Sequence, residues 1–123
     1  MQTKTLVIDI DGTICSITNG LYHEAIPSKR RIEKINQLFA EGNIIIFYTA
    51  RGMGSSKNDI GVAKAKWHDL TVSQLESWGV NYHHLFMGKP SGDVYVDDKA
   101  ISDETFFETT LEELRTSTLW DKK

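Results

Sequence analysis

Four short apolar runs recur along the chain, and each is rich in the β-branched and aromatic residues that favour strands. They are KTLVIDI, NIIIFY, YHHLF and DVYV, at residues 4–10, 43–48, 82–86 and 93–96. The second run does not alternate between apolar and polar positions, which is typical of a strand buried on both faces. The pattern therefore predicts four strands of a mostly parallel sheet.

Three segments between or after these runs have apolar residues at helical spacing and capping residues at their ends. The first is bounded by Ser28, a predicted N-cap, and Gly42, a predicted stop. The other two begin with capping boxes, in which a threonine precedes Gln or Glu by three residues. These boxes are Thr71 with Gln74, before a stop at Gly79, and Thr110 with Glu113.

Strands that alternate with helices predict an α/β fold with right-handed crossovers, here a Rossmann-like three-layer sandwich around a mostly parallel central sheet. Residues 14–26 depart from the alternation, because Asn19-Gly20 lies between two short β-prone pieces. That dipeptide is a hairpin turn signal. We expect a β-hairpin flap over the end of the first strand.

Length and composition predict one compact globular domain. The chain has 123 residues, of which 40% are hydrophobic and 25% charged. We expect a single domain over residues 1–115 and a C-terminal tail over residues 116–123, in which Trp120 could dock on a neighbouring subunit.

The net charge, the single cysteine and the lengths of the apolar runs indicate which partners and which compartment to expect. Lys and Arg number 14 against 17 Asp and Glu, so the net charge of −3 disfavours nucleic-acid binding by the domain as a whole. One cysteine excludes an internal disulfide, and no apolar run approaches the ~20 residues of a membrane span. We expect a soluble cytoplasmic protein with no membrane partner.

Polar groups follow each predicted strand. In an open α/β sheet, ligands bind outside the carboxyl ends of the strands, so these groups are candidate site residues. They are Asp9 and Asp11 after the first strand, Thr49, Ala50 and Arg51 after the second, Lys89 after the third, and Asp97 and Asp98 after the fourth.

The four aspartates predict a divalent cation. Side chains two apart on a strand share a face, so Asp9 and Asp11 would share a site, and Asp97 and Asp98 would join them if the first and fourth strands are neighbours. Clustered carboxylates in a cleft need a counter-charge. Mg²⁺ suits oxygen ligands. Together with Lys89 and an anion-binding turn after Thr49, this set describes phosphoryl transfer.

These residues resemble the four motifs of the haloacid dehalogenase (HAD) superfamily, over roughly residues 5–105. The motifs are Asp9-x-Asp11-Gly12-Thr13, Thr49 after a hydrophobic strand, Lys89, and Asp97-Asp98. The phosphotransferases of the superfamily carry an aspartate at the motif position that Asp11 occupies, and its dehalogenases do not, so the chain resembles the phosphotransferases. The stretches after the first motif and between the second and third are too short for a cap domain, so the chain resembles a capless phosphatase.

The resemblance implies a role for each motif residue. Asp9 would be the nucleophile that forms an aspartyl phosphate, and Asp11 would be the general acid and base. Thr49, the turn at Ala50 and Arg51, and Lys89 would bind the phosphoryl oxygens, although Arg51 could instead brace loops. Mg²⁺ would be held by the Asp9 side chain, the Asp11 main-chain carbonyl and Asp97, with Asp98 as a ligand or a neighbour of the ligands.

The substrate is less well defined. The segment from "YTARG" to "VDDKA" resembles small HAD proteins linked with capsule and surface-polysaccharide biosynthesis, which implies a sugar phosphate or another small phosphorylated metabolite. The same region resembles the phosphatase domain of polynucleotide kinases, so a nucleotide or polynucleotide 3′-phosphatase is the alternative. An open site suits a large substrate or a lid from another subunit, as in a homo-oligomer.

Two further classes compete with a phosphatase. A receiver-like signalling domain also combines clustered aspartates, Mg²⁺, a threonine and a lysine. Such a domain carries its phospho-acceptor on a middle strand, where this chain has "NIIIFYTA" and no acid. A phosphate-binding module without activity is the other, and it would require the loss of a catalytic position, whereas each expected position is filled.

Overall fold

The computed structural model describes residues 3–116, and its contacts divide the chain into two compact units, residues 1–91 and 92–123. The first unit contains strands β1 (Thr5–Ile8), β2 (Ile44–Thr49) and β3 (His84–Met87), helices α1 (Lys29–Ala40) and α2 (Ile60–Ser77), and a 3₁₀ helix at Tyr22–Glu24. The second contains helices α3 (Asp103–Glu108) and α4 (Leu111–Thr116). Trp120 and the rest of the predicted tail beyond Thr116 lie outside the described residues.

The three described strands form one parallel sheet in the order β1-β2-β3. Helix α1 connects β1 to β2 and helix α2 connects β2 to β3, so the first unit is built from two β-α-β crossovers. The sheet and the four α-helices are consistent with the expected Rossmann-like α/β class; the three-layer arrangement stays a prediction. Among the described residues, no helix combines the length and apolar character that crossing a membrane requires.

Strand β2 is the central strand, and its burial alternates. Ile45, Phe47 and Thr49 are buried, whereas Ile44 is exposed and Ile46 is half-buried. The expectation of burial on both faces is therefore wrong for this strand. An unbroken apolar run marks a strong strand former, but the packing on each face decides which side chains leave water.

The predicted fourth strand is absent from the described structure. Residues 93–97 are irregular, and Val94 and Val96 are 76% and 93% exposed. A β-prone sequence expresses a preference for a pleated, half-buried surface, and it forms a strand only where a neighbour completes the ladder. The run DVYV lies in the second unit without such pairing among the described residues.

Capping residues predict four helix ends and mislead at a fifth. Gly79 follows α2 with a φ of 69°, and at the start of α4 the Thr110 hydroxyl accepts the backbone N–H of Glu113 at 3.1 Å, both as expected. Ser28 caps α1, its side chain accepting the backbone N–H of Arg31 at 3.4 Å, and Gly42 follows the helix with a φ of 99°. Helix α2 instead begins after Asp59, which accepts the N–H of Val62. Thr71 with Gln74 is therefore not a capping box, because both residues lie inside the helix.

Residues 14–26 form no two-stranded hairpin. Asn19 and Gly20 do make the expected tight turn, with φ values of 54° and 93°, but the 3₁₀ helix follows at once. The ends of the segment are held together by an isolated antiparallel bridge between Cys15 and Pro27. The segment is a closed loop rather than a flap of two strands, since a 3₁₀ turn interrupts the second β-prone piece.

Candidate active site

The chain turns sharply just after β1. The strand ends at Ile8, and residues 11–15 form a tight turn in which Gly12 has a φ of 81° and its N–H donates to the carbonyl of Cys15 at 2.9 Å. The Asp11 charge acts on Asp9, so the two carboxylates lie near each other beyond the end of β1. The two carboxylates engage different partners.

Asp9 faces the end of the third strand. Its Oδ1 lies 3.6 Å from Nζ of Lys89, and Thr13 Oγ1 donates to its Oδ2 at 3.4 Å. The Asp9 and Lys89 side chains are 33% and 20% exposed, so the pair is partly buried and still open to solvent. The parallel sheet thus brings together two of the residues that the sequence proposes for the site.

Burial raises the pKa of Asp9 above its usual value of 3.8. Loss of hydration is the largest cause and outweighs the opposing attraction of Lys89. Hydrogen bonds from the Ile10 backbone and Thr13 also favour the ionised form, whereas the charge of Asp11 opposes it. Asp9 is a carboxylate whose negative charge the surrounding residues compensate incompletely.

Asp11 is clasped by Arg51. Arg51 Nε lies 2.9 Å from Oδ2 and Nη2 lies 3.0 Å from Oδ1, which is the two-point geometry that a guanidinium forms with a carboxylate. The Asp11 side chain is 20% exposed, while the Arg51 side chain is fully buried. The Asp11 side chain is therefore partly open to solvent, whereas its arginine partner is not.

The burial of Arg51 bears on its predicted contact with substrate. Its guanidinium is occupied by Asp11 and by two residues of helix α2, Thr71 and Gln74. No part of the side chain reaches the surface. This arrangement favours the bracing interpretation of Arg51 over direct binding of a phosphoryl group.

Thr49 and Ala50 open the turn that follows β2. The Thr49 hydroxyl accepts the backbone N–H of Arg51 at 3.1 Å, and the Ala50 carbonyl accepts the N–H of Met53 at 2.9 Å. The backbone N–H of Lys89 donates to the Thr49 carbonyl at 3.1 Å, which joins the ends of β2 and β3. Thr49 is buried beneath the surface at this edge of the sheet.

Cys15 lies beneath the Asp11–Arg51 pair. Its Sγ is 3.5 Å from Asp11 Oδ1, and the side chain is buried. Burial, with the nearby Asp11 charge, raises the pKa of this thiol from 9.0 to about 12. The cysteine is therefore a protonated, unreactive side chain at neutral pH, which agrees with its predicted structural role.

Asp97 and Asp98 belong to the second unit, residues 92–123. Both are exposed, and Asp97 Oδ1 accepts the backbone N–H of Lys99 at 2.9 Å. Within residues 3–116, no group of three or more His, Cys, Asp or Glu is arranged to hold a metal ion. The proposed metal ligands of this unit stay predictions.

Three residues of the site region were not foreseen as such from the sequence. Tyr22, Thr71 and Gln74 surround the Arg51 guanidinium, and Gln74 Nε2 also donates to the Tyr22 carbonyl at 2.7 Å. The available signal was a pair of polar residues three apart on a helix, which lie on one face. Read as a cap, that pair gave no indication of a buried arginine partner.

Comparison with known proteins gives one structural likeness. The chain is similar to the crystal structure of an MCSG target from Vibrio cholerae, with 28% identity, a TM-score of 0.78, and coverage of 97% of this chain and 98% of that one. No protein-family model and no curated protein matches the sequence. The likeness supports the α/β fold along nearly the whole chain and carries no activity with it.

Proposed function

We propose that the chain is a Mg²⁺-dependent phosphatase of the HAD type that hydrolyses a phosphomonoester through an aspartyl phosphate on Asp9. The observation that carries the proposal is the Asp9–Lys89 pair, with 3.6 Å between Oδ1 and Nζ at the ends of two parallel strands. An accessible carboxylate beside a fixed cation is suited to attack an anionic phosphorus centre, because the lysine offsets the repulsion between them.

The proposed reaction has two steps. An Asp9 oxygen attacks phosphorus, the bond from phosphorus to the ester oxygen breaks, and the leaving oxygen takes a proton from Asp11. A water molecule then attacks the phosphoryl group and gives its proton to Asp11. Phosphate leaves, and Asp9 is restored as a carboxylate. Lys89 pairs with the phosphoryl oxygens in both steps.

The donor set of the first unit fits Mg²⁺ in kind. Asp9 offers a hard, partly exposed carboxylate whose charge is incompletely compensated. The Asp11 main-chain carbonyl is the second proposed ligand, since Arg51 occupies the Asp11 carboxylate. Asp97 is proposed as the further ligand, with Asp98 beside it. A bound Mg²⁺ would neutralise charge on the phosphoryl oxygens and the carboxylates.

We propose a small phosphorylated metabolite, such as a sugar phosphate, as the substrate class. The net charge of −3 gives a long polyanion no general attraction, and the exposed Lys57, Lys64 and Lys66 offer local positive charge for a small anion. Comparing kcat/KM for hexose and heptose phosphates with that for a 3′-phosphorylated oligonucleotide tests this. A far higher value on the oligonucleotide would favour the nucleic-acid alternative.

Hydrolysis of p-nitrophenyl phosphate by Asp9→Asn tests the reaction itself. We expect kcat to fall by about 10⁴-fold or more, because the amide cannot act as the nucleophile. Asp69→Asn is the matched control, since Asp69 is fully exposed on α2 and undergoes the same chemical change. Unchanged turnover in a folded Asp9→Asn variant would overturn the proposed mechanism.

A further inference from the structure

Arg51 lies at the centre of a buried polar network. Two of its nitrogens hold the oxygens of Asp11, and the third, Nη1, donates to Thr71 Oγ1 at 3.2 Å and to Gln74 Oε1. The Thr71 hydroxyl gives its own proton to the Trp67 carbonyl at 2.8 Å, so its oxygen is oriented to accept. A buried guanidinium with these partners is held in one orientation, because rotation would leave polar atoms unpaired.

Tyr22 connects this network to the loop at residues 14–26. Its ring centroid lies 5.0 Å from Arg51 Cζ and 4.7 Å from the centroid of the Trp67 ring, which it meets edge-on. Its hydroxyl accepts the N–H of Gly52 at 3.0 Å, and its carbonyl accepts Gln74 Nε2. The middle of the loop is thus fixed to the turn after β2 and to helix α2.

The clasp leaves Asp11 able to exchange a proton. A carboxylate has about four lone-pair sites, and two-point pairing with an arginine occupies one on each oxygen. The Asp11 side chain keeps 20% of its surface exposed. Arg51 therefore constrains where the oxygens lie and leaves lone pairs on both, while Arg51 itself has no exposed surface with which to meet a substrate.

We propose that Arg51 is a positioning residue for Asp11, and that Thr71 and Gln74 of helix α2 fix Arg51 in the orientation this requires. The inference rests on the proposed function, because it is there that Asp11 carries the proton transfers. Arg51 acts through Asp11 and does not contact the phosphoryl group. A lysine does not reproduce this, since a single ammonium group cannot pair with both oxygens at once.

A double-mutant cycle between Gln74 and Asp11 tests the inference. Gln74→Met keeps the length of the side chain and removes one of the two α2 acceptors of Arg51, together with the donor to the Tyr22 carbonyl. With p-nitrophenyl phosphate, whose leaving group departs without a proton, Asp11 is needed only when water attacks the aspartyl phosphate. Steady-state release of inorganic phosphate is therefore measured for wild type, Gln74→Met, Asp11→Asn and the double variant. We expect Gln74→Met to lower the wild-type rate about tenfold with little change in KM, because Asp11 is displaced. In the Asp11→Asn background the same change has no further effect.

Three controls make the cycle specific. Gln37→Met makes the same chemical change at an exposed position of α1 and leaves the rate unchanged. Thr71→Val removes the other α2 acceptor of Arg51 and should give the same pattern as Gln74→Met. It replaces Gln74→Met in the cycle if the Gln74→Met variant folds poorly. Arg51→Lys retains the positive charge but should still turn over more slowly than the wild type, because an ammonium group cannot pair with both Asp11 oxygens.

The outcomes separate the inference from the proposed function. No turnover by the wild type would overturn the proposed function, and the inference with it. Turnover with equal losses from Gln74→Met in both backgrounds would overturn the inference alone, because Gln74 would then act independently of Asp11. A loss confined to KM would also overturn it, since that would indicate contact with the substrate.

Discussion

Asp9 carries its negative charge where burial disfavours it. The carboxylate has an accessible edge and a lysine 3.6 Å away, yet its pKa is raised by desolvation. A nucleophilic carboxylate needs to be exposed and to keep part of its negative charge uncompensated. That charge lowers the stability of the folded state, because burial disfavours the ionised form. At the scale of the residue, the proposed activity and the stability of the protein are opposed.

The direction of this pKa shift predicts how Asp9 affects stability. Its pKa is higher in the folded protein than the unfolded value near 3.8, so between the two values the folded state holds the proton more tightly. The free energy of unfolding therefore falls as pH rises through that window. We expect Asp9→Asn to raise the urea midpoint at neutral pH in the absence of divalent cations.

The pH dependence is the control for this prediction. Below pH 3.8 the wild-type carboxyl is protonated in both states, so the advantage of Asp9→Asn should shrink toward zero. Asp69→Asn, at a fully exposed position, should leave the midpoint unchanged at both pH values. A midpoint for Asp9→Asn equal to or below that of the wild type at neutral pH would contradict the account.

The turn between β2 and α2 shows how an element sets the site. Gly52 has a φ of 76°, and a Cβ there would lie 2.5 Å from Trp67 Cδ1 and 3.1 Å from Ala63 Cα. Helix α2 thus packs against the turn that follows Thr49 and contains Arg51. The close approach depends on a residue with no side chain.

Alanine at two glycines separates backbone strain from this close packing. Gly20 has a φ of 93°, and a Cβ added there would have no atom within 4 Å. We therefore expect Gly20→Ala to lower the free energy of unfolding by about 1 kcal/mol, from the left-handed backbone alone. Gly52→Ala adds the clash with α2 and should cost at least about 1 kcal/mol more. Urea unfolding measures both, and equal losses would show that α2 does not pack on this turn.

Local signals in the sequence were sufficient for some elements and insufficient for others. Ser28 and Gly42 bound α1 as expected, because a cap acts over three or four residues. Thr71 and Gln74 have the spacing of a capping box but serve as acceptors for Arg51, 20 and 23 residues away in sequence. Nothing in a local window distinguishes those two uses.

At the scale of the whole molecule, alternating strands and helices predicted the α/β class and the edge at which the site lies. Parallel strands deliver their carboxyl ends to one edge, so Asp9, Thr49 and Lys89 come together as expected. The different partners of Asp9 and Asp11 could not be predicted, since Lys89 and Arg51 lie far from them in sequence and only the fold brings each pair together.

Metal dependence tests the proposed requirement for Mg²⁺. We expect chelation of divalent cations to abolish hydrolysis of p-nitrophenyl phosphate and added Mg²⁺ to restore it, because the acidic site lacks sufficient positive charge without the ion. The far-ultraviolet circular dichroism spectrum should stay unchanged by chelation. Full activity after chelation would exclude the proposed role of Mg²⁺.

The most direct test of the central claim is identification of the phosphorylated residue. In Asp11→Asn the attack by water lacks its base, so the aspartyl phosphate should accumulate during incubation with p-nitrophenyl phosphate and Mg²⁺. After acid quenching, mass spectrometry should find the added mass of one phosphoryl group on the peptide that contains Asp9, and none in Asp9→Asn. Phosphate release without that adduct, or an adduct on another residue, would contradict the account.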